Sequence, residues 1–416
     1  MNKTIIIGLA LLFFNNVLGQ KKELKNIEKL IKTENFELAF TELGKVKDLV
    51  YSSDNKIKSK YHYLRGLLFF NDTLTDRFES LKSAVFELNK VKEYGQTDSF
   101  NKSKTLLQNI FNDFIEKYNK FYQLKDYENS YKNIEAAYRV YNKDTLYLYN
   151  AAIIANQAKM YDEALTHYIE LHEMGYKGIS TRYFAINKEN GLEEEFPDEK
   201  QRELFMKSGM YEKPRDELGK SEEIFILRQI SSILRMQERY DKALSYLDKA
   251  LTVKDKEINV LLDKATIYVD LEKWEEYQNI VELVLTIEPE NYELLCNLAI
   301  VNKESGNTEE AMNYINRALS IDDKNTRGLI IAGEILLKPA DDILEEMNSL
   351  GYSRKEEIKY DELKKQREVV IRESIAYFEK AFNIDNSNEF LISTLSRLYS
   401  VIGDEEKFEY YKGFEK

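Results

Sequence analysis

Apolar residues recur at helical spacing along most of the chain, and the pattern itself repeats every 34 residues. Ala243, Tyr277 and Ala311 are spaced 34 and 34 residues apart, and three frames counted from Ile224 abut over 224–325 without a gap. An amphipathic helix has a period of about 3.6 residues, so amphipathicity alone does not explain such frames. The pattern predicts three consecutive helical hairpins, each consisting of a helix A and a helix B.

Weaker frames continue this pattern on both sides. Upstream, Phe111 and Thr145 open two further units, and degenerate units precede them. Downstream, a helix A around Leu329 is followed by a helix B whose small residue, Ser374, comes 29 residues late, and a final unit begins at Glu389. The delay predicts a charged insertion near 338–366 that is helical in part.

The third frame has the most complete set of small and bulky apolar residues. Counted from Tyr292, positions 4, 7, 8, 15, 20, 27 and 30 are occupied by Leu295, Leu298, Ala299, Gly306, Ala311, Ala318 and Ile321. In length and in these residues the frame resembles the tetratricopeptide repeat (TPR), a helix–turn–helix unit. The resemblance implies an all-α, TPR-like α-solenoid, in which the A helices line a concave groove.

One stretch, residues 179–220, lacks the helical period. Residues 181–186 are rich in β-formers, Asn190-Gly191 is a hairpin turn signal, and residues 192–196 alternate in polarity after it. A short helix is predicted from Glu199 to about Lys207. We expect a small β-hairpin plus a helix, inserted either as a specificity device beside the groove or as a spacer that caps one stack of repeats and starts the next.

The N-terminus has the pattern of a secretory signal peptide. A basic start at Lys3 precedes an apolar run of eleven residues, 4–14, which is too short to span a membrane. Cleavage is predicted between Gly19 and Gln20, the alternative being an uncleaved anchor or a buried helix. The predicted organisation is therefore a signal peptide (1–19), N-terminal TPR-like repeats (20–178), the insertion (179–220) and C-terminal TPR repeats (221–416).

Composition narrows the classes of function. The 416 residues include 60 Lys+Arg and 73 Asp+Glu, a net charge of −13, which argues against a nucleic-acid partner because phosphate binding depends on Lys and Arg. A hydrophobic content of 43% excludes disorder of the highly charged kind. One cysteine excludes disulfides within the chain and multi-cysteine metal sites.

The residues that could carry chemistry form no recognisable catalytic or metal-binding pattern. His167 and His172 are five residues apart on a predicted helix, which is the wrong spacing for a metal pair, and His62 is the remaining histidine. Cys296, at position 5 of its frame, is expected to face the groove as a small apolar contact. Residues 193–195 are three glutamates without a calcium-binding loop around them. We therefore predict a protein that is not an enzyme and that needs no cofactor or metal.

In the resembled family the groove is lined by positions 2, 5, 9, 12 and 13 of helix A. Applied to this sequence, those positions contain the candidate binding set: Tyr122, Tyr149, Asn156, Phe225, Arg228, Arg235, Met236, Leu262, Thr266, Ile300 and Lys303. Some TPR proteins capture a C-terminal carboxylate with a Lys/Asn clamp, but Asp263 and Glu293 depart from that pattern. Arg228 and Arg235 are one helical period apart and could meet an acidic group.

The mixture of aromatic, aliphatic and amide groups in this set suits a peptide or protein partner. The sequence therefore predicts a non-catalytic interaction scaffold, exported to the periplasm or secreted, peripheral to the cell envelope and not membrane-spanning after cleavage. The alternative is a carbohydrate- or cell-wall-binding module that uses the 29 Tyr, 21 Phe and 1 Trp.

Overall fold

The computed structural model describes residues 21–72, 75–141 and 144–415. Within this part the chain forms α-helices and one three-stranded sheet. The described residues form two compact units, unit 1 up to Ile233 and unit 2 from Leu234 onward. The predicted signal peptide, 1–19, lies outside the described residues.

Unit 1 contains ten helices in its described part, and an eleventh, α11, continues past residue 233 into unit 2. These helices are α1 (21–32), α2 (Phe36–Lys45), α3 (Lys47–Tyr51), α4 (Asn55–Asn71), α5 (Arg77–Lys90), α6 (Asp98–Gln123), α7 (Tyr127–Val140), α8 (Thr145–Gln157), α9 (Tyr161–Glu173), α10 (Glu199–Lys207) and α11 (Glu223–Met236). A 3-10 turn, Val91–Tyr94, follows α5. The strands of unit 1 are β1 (Thr181–Asn187), β2 (Glu193–Phe196) and β3 (Tyr211–Leu218).

The helices of unit 2 are α12 (Tyr240–Val253), α13 (Ile258–Asp270), α14 (Trp274–Leu285), α15 (Tyr292–Glu304), α16 (Thr308–Ile321), α17 (Thr326–Ser349), α18 (Arg354–Ile384), α19 (Glu389–Ile402) and α20 (Glu405–Lys412). Three A helices begin at residues 258, 292 and 326, and three B helices begin at residues 240, 274 and 308. Both sets have the 34-residue spacing of the sequence frames. The predicted all-α, TPR-like solenoid with a small β insertion is confirmed.

Small side chains allow the helices of unit 2 to approach one another closely. Ala299, Ala311 and Ala318, at positions 8, 20 and 27 of one frame, are completely buried in a shared apolar cluster. Helices α15 and α17 begin at a recurring cap, since Asn291 and Asn325, 34 residues apart, each accept a hydrogen bond from a backbone N–H in the first turn. Repeat packing and repeat capping therefore follow the same sequence period.

One repeat of unit 2 is elongated into a long helical hairpin. Helix α17 has 24 residues, 11 more than the 13 of α15, and α18 has 31 residues, 17 more than the 14 of α16. Helix α17 continues through Pro339, at the point where an ordinary helix A ends. Beyond it, Met347 and Leu363 are buried, and Arg367 Nε donates to the carbonyl of Ala340 at 3.1 Å. Packing between the two helices thus sustains the helix beyond the proline.

Residues 181–218 form a side module, which we call the β module. Its sheet has the order β2-β1-β3, and both pairings are antiparallel. The predicted hairpin is β1–β2, with Gly191 at φ 72° in its turn, and the predicted helix is α10. Strand β3 was not expected, because its highly charged sequence contains Pro214 and has little strand propensity.

The β module leaves and rejoins the helical stack at one neck. Gly219 N donates to Ser180 O at 2.7 Å, and Glu222 N donates to Lys177 O at 2.7 Å. Immediately after the neck, the Phe225 ring of α11 lies 6.5 Å from that of Tyr168 on α9. Helix α11 therefore contacts α9, the last helix before the β module.

Candidate binding surface on the A helices

The candidate residues all lie on A helices, whose exposed sides we call the A-helix face. Helix α6 carries Tyr122, α8 carries Tyr149 and Asn156, α11 carries Phe225, Arg228, Arg235 and Met236, α13 carries Leu262 and Thr266, and α15 carries Ile300 and Lys303. The structure brings some of them together within unit 1 and others within unit 2. Their roles in binding stay predictions.

Tyr149 is the centre of an aromatic cluster in unit 1. Its ring centroid lies 5.5 Å from that of Tyr176 and 6.4 Å from that of Phe225, and its hydroxyl donates to Glu222 Oε2 at 2.9 Å. Burial, followed by the hydrogen bond to Glu222, raises the pKa of Tyr149, so the hydroxyl remains a donor over the ordinary pH range. Phe225 is 37% exposed, which leaves one ring of the cluster open to a partner.

Two side-chain amides form a further contact between α8 and α11, about two helical turns after Tyr149 along α8. Asn156 Nδ2 on α8 donates to Gln229 Oε1 on α11 at 2.9 Å, and both side chains are half-buried. This bond uses one donor of Asn156 and leaves its Oδ1 acceptor, while Gln229 retains its amide donors. The pair therefore presents an acceptor beside a donor, which matches the N–H and C=O of an extended peptide.

The ring contacts of Tyr122 in the described structure are with Tyr118 and Tyr127, not with the Tyr149 cluster. Tyr122 is 44% exposed and lies 6.1 Å from Tyr118 and 6.0 Å from Tyr127, centroid to centroid. Arg228 is half-buried and is engaged in an interaction of its own. Tyr122 thus belongs to a second aromatic patch on α6 and α7.

Charged candidates in unit 2 pair with neighbouring A helices. Arg235 is bidentate to Asp270, with Nη2 3.0 Å from Oδ1, so the acidic group that Arg235 meets belongs to this chain. The hydrogen bond from Arg235 lowers the pKa of Asp270. Lys303 Nζ lies 2.8 Å from Glu334 Oε2. These pairs tie α15 to α17 and the last turn of α11 to α13.

Burial alone would lower the pKa of Lys303, but its bonds to Glu334 and Glu304 outweigh that effect and raise it. The side chain of Glu293, a residue that departs from the carboxylate-clamp pattern, pairs with Arg327. Arg327 also donates to Asn297 Oδ1 at 3.0 Å. The charges on this face are therefore largely satisfied within the molecule.

The uncharged candidates of unit 2 are distributed between the core and the surface. Leu262 and Ile300 are half-buried against the apolar cluster, and the hydroxyl of Thr266 donates to Leu262 O at 2.9 Å. Met236 is 53% exposed and is the most accessible apolar candidate of this unit. These side chains offer apolar contact area and few free polar groups.

The expectation that Cys296 faces the groove is wrong, because its side chain is completely buried. The cause is the close approach of α17 to α15. A Cβ placed on Gly328 would lie 2.0 Å from the hydroxyl oxygen of Tyr292, so the glycine is needed for this spacing. Helix α17 therefore covers position 5 of α15.

The other singled-out polar residues have structural partners. His62 Nδ1 lies 2.6 Å from Glu87 Oε2, and His167 Nε2 lies 2.9 Å from the hydroxyl of Tyr131. The three glutamates of β2 are bound by three groups: Arg215 for Glu193, Tyr211 for Glu194 and Arg182 for Glu195. Among the described residues there is no group of three or more His, Cys, Asp or Glu that could hold a metal ion.

Sequence reasoning missed several partners of the candidates. Tyr176 and Glu222 lie in the turns at the module's neck, outside the repeat frames, and no periodic signal marks them. Gln229, at position 6, falls between the groove positions. Asp270 and Glu334 occupy positions 13 and 9 of their frames, so the complementary charge one frame away from Arg235 or Lys303 could have indicated both pairs.

One stretch of the chain matches a known protein family. Residues 292–325 match the family model described as tetratricopeptide repeat. This stretch coincides with α15, α16 and the turn after them. No curated protein matches the chain.

Among solved structures, the chain is similar to a tetratricopeptide repeat protein from Parabacteroides merdae, with 14% identity, 70% of this chain and 98% of the other covered, and a TM-score of 0.37. MamA protein has 14% identity over 46% of this chain and 90% of its own, with a TM-score of 0.35. YrrB, described as a TPR protein with an unusual peptide-binding site, has 16% identity over 46% and 84%, with a TM-score of 0.33. In the described part of the chain, no helix is both long enough and apolar enough to cross a bilayer.

Proposed function

We propose that this chain is a non-catalytic scaffold of the cell envelope that binds an extended peptide segment of a partner protein on the A-helix face of α8 and α11. The observation that carries the proposal is the Asn156–Gln229 pair beside the Tyr149 cluster. Apolar contact and peptide hydrogen bonding then come from one surface.

The amide pair supplies orientation. Because Asn156 and Gln229 already bond to each other, their remaining acceptor and donor are held in place before a peptide arrives. A peptide unit that aligns with them satisfies its own N–H and C=O without ordering two free side chains, which lowers the entropic cost of binding. This recognition reads the backbone and does not require a particular peptide side chain.

The aromatic cluster supplies affinity. Phe225 is exposed while Tyr149 behind it is held by Tyr176 and Glu222, so an apolar side chain of the partner would pack on a rigid surface. Aromatic anchors of this kind commonly carry most of the binding energy of an interface. The ion pairs of unit 2 add little, since a charged partner would have to displace a bound counter-charge.

Site-specific photo-crosslinking tests this proposal in the producing cells. Benzoylphenylalanine in place of Phe225 is expected to capture a discrete protein partner, whereas the same probe in place of Phe86, 60% exposed on α5, is expected not to capture it. The Asn156→Ala/Gln229→Ala variant should weaken capture at Phe225. Equal capture at both positions, or none at Phe225, would contradict the assignment.

We further propose that the chain is exported and loses residues 1–19. Support comes from the basic start, the short apolar run and the small residues Val17 and Gly19 before Gln20. N-terminal sequencing of the protein recovered from an envelope fraction should begin at Gln20. Recovery of the protein from the cytosol with Met1 still present would contradict the proposed location at the cell envelope. It would leave the binding proposal intact. The comparisons offer no support for the carbohydrate-binding alternative.

A further inference from the structure

A groove runs between α2 and α4, away from the A-helix face of α8 and α11. It consists of two adjoining cavities of about 370 and about 190 Å³ that share Phe40. The larger is lined mainly by Phe36, Phe40, Leu68 and Phe69, and the smaller by Leu43, Gly44, Lys47, Tyr61 and Arg65. We call this surface the α2–α4 groove. Its wall includes Phe40, a phenylalanine that is 49% exposed and packs edge-on against Phe69 at 5.6 Å.

The groove is about three helical turns long. Phe36 lies with Asp72 at one end, and Lys47 lies with Tyr61 at the other, so α2 and α4 run antiparallel along it. From residue 36 to residue 47 the α2 side spans roughly 16 Å at the helical rise. This length suits one short helix laid along the groove.

The two ends of the groove carry opposite charges. Glu37 and Asp72 are at the end where α2 begins, while Lys47 and Arg65 are at the other end. Arg65 is held there by its contact with Glu87, Nε to Oε1 3.3 Å, and by the ring of Phe69, 5.8 Å from its guanidinium carbon. A helix has a partly positive N-terminus and a partly negative C-terminus, so these charges favour one direction of binding, parallel to α2.

Gly44 is a second and independent indication of an occupant. It is the second-to-last residue of α2 and has right-handed helical backbone angles, so it is not a left-handed cap that would require glycine. No contact in the described structure requires it, because a Cβ added there would meet no atom within 4 Å. The missing side chain leaves the backbone of α2 open at the groove, which is the arrangement that a closely approaching second helix needs.

We propose that the α2–α4 groove binds one amphipathic helix of about three turns from a partner protein, with its N-terminus at Glu37 and Asp72 and its C-terminus at Lys47 and Arg65. Apolar side chains spaced i, i+4, i+7 along that helix pack against Phe36, Phe40 and Leu68, and its backbone approaches α2 most closely at Gly44. The inference does not rest on the peptide-binding function proposed for α8 and α11, since the two surfaces share no residue.

Selection with a displayed peptide library tests the proposal on the full chain. The probes are helical peptides of about twelve residues, stabilised as helices and randomised at every position. Enriched peptides are expected to carry apolar residues at i, i+4, i+7 and acidic residues near their C-terminal end. Each should bind the Gly44→Leu variant at least roughly tenfold more weakly than the original chain.

The variants separate loss of the site from loss of folding. Gly44→Leu should leave the melting temperature unchanged or raised, because leucine favours the helix and meets no neighbour. Phe40→Ala should weaken the enriched peptides, whereas Leu38→Ala on the same helix, with a side chain 51% exposed and outside the groove, should not. Phe225→Ala should leave them unaffected.

Three outcomes would overturn the proposal. They are the absence of any enriched helix, equal binding to the original chain and to Gly44→Leu, and enrichment of the reversed charge order. Self-association in sedimentation that Gly44→Leu abolishes would assign the groove to a second copy of this chain, and would overturn it as well.

Discussion

The two units differ in whether charged side chains are buried within them. Unit 1 buries the carboxyl of Glu87, which is 4% exposed and lies 2.6 Å from His62 and 3.3 Å from Arg65, and its α8–α11 face carries the aromatic and amide groups described above. In unit 2, no described Asp, Glu, Lys, Arg or His is buried, and the charges form pairs across the A-helix face. The helices of this chain therefore hold charged side chains either buried in the core or paired at the surface between neighbouring helices.

This difference has energetic consequences. A buried charge that loses its partner is left without water, and its desolvation is no longer compensated. An exposed charge that loses its partner is solvated instead. We therefore expect ion pairs to determine the stability of unit 1 far more than that of unit 2, and the following changes test that contrast in order of decreasing effect.

Glu87→Ala should have the largest effect. It leaves His62 and Arg65 without their carboxylate, at an expected loss of about 3–5 kcal/mol in the free energy of unfolding. Urea unfolding of the full chain, with hydrogen exchange resolved by segment, should show the loss within residues 21–233. The matched change in unit 2 is Glu334→Ala, for which we expect about 1 kcal/mol or less. Equal losses of unfolding free energy in Glu87→Ala and Glu334→Ala would contradict the expected difference between the two units.

Tyr149→Ala should have the next largest effect. It removes the ring that packs with Tyr176 and Phe225, and should weaken partner binding roughly thirtyfold, about 2 kcal/mol. Tyr149→Phe removes only the bond to Glu222 and should cost about 1 kcal/mol of stability while binding is largely retained. Titration with the crosslinked partner, once purified, measures both. If Tyr149→Phe binds the partner as weakly as Tyr149→Ala, then the hydroxyl of Tyr149, and not its ring, determines binding.

Acid should destabilise unit 1 through Glu87. Burial alone raises the pKa of this carboxyl, but the hydrogen bond with His62 and the nearby Arg65 outweigh it and lower the pKa. A lowered folded-state pKa gives stability that is complete above the unfolded-state pKa, about 4.3, and is lost as the pH falls through the folded-state value. Glu87→Gln should flatten the stability profile below about pH 4. If the dependence of stability on pH is unchanged in Glu87→Gln, other carboxyl groups determine the loss of stability in acid.

Arg235→Ala should have the smallest effect. Its bond to Asp270 is partly exposed to solvent, so we expect a loss of about 0.5 kcal/mol in stability that vanishes at high salt. Thermal unfolding at low and high ionic strength measures this. A loss of stability that persists at high salt would mean that interactions other than charge attraction hold the last turn of α11 against α13.

The helical frames could be predicted from sequence because packing and period coincide. Helix starts at 258, 292 and 326 follow from the 34-residue spacing of Ala243, Tyr277 and Ala311, and a turn signal located the β1–β2 hairpin. Strand β3 could not be foreseen, since its pairing with β1 depends on a distant segment and overrides the local effect of Pro214.

The binding face was predictable only in part, for a related reason. Helix positions assign Tyr149, Asn156 and Lys303 to one side of the A helices, but the state of each side chain depends on its neighbour in the next helix. Glu222 binds Tyr149 from a turn that has no repeat position. Cys296 is buried because Gly328 lets α17 come unusually close. Such contacts are set by interhelical distance, which a single frame does not encode.

The neck of the β module has a mechanical consequence. Strand β1 begins at the neck and the antiparallel strand β3 ends there, so tension applied at the neck loads the hydrogen bonds one at a time. The Glu222–Lys177 and Gly219–Ser180 bonds come first, followed by the strand pairing from Thr181 and Leu218 onward. Peeling of this kind needs far less force than shearing a whole sheet at once. The 38 residues from Thr181 to Leu218 would then extend to about 130 Å. The β module would therefore lengthen under tension before the helices beside it are pulled apart.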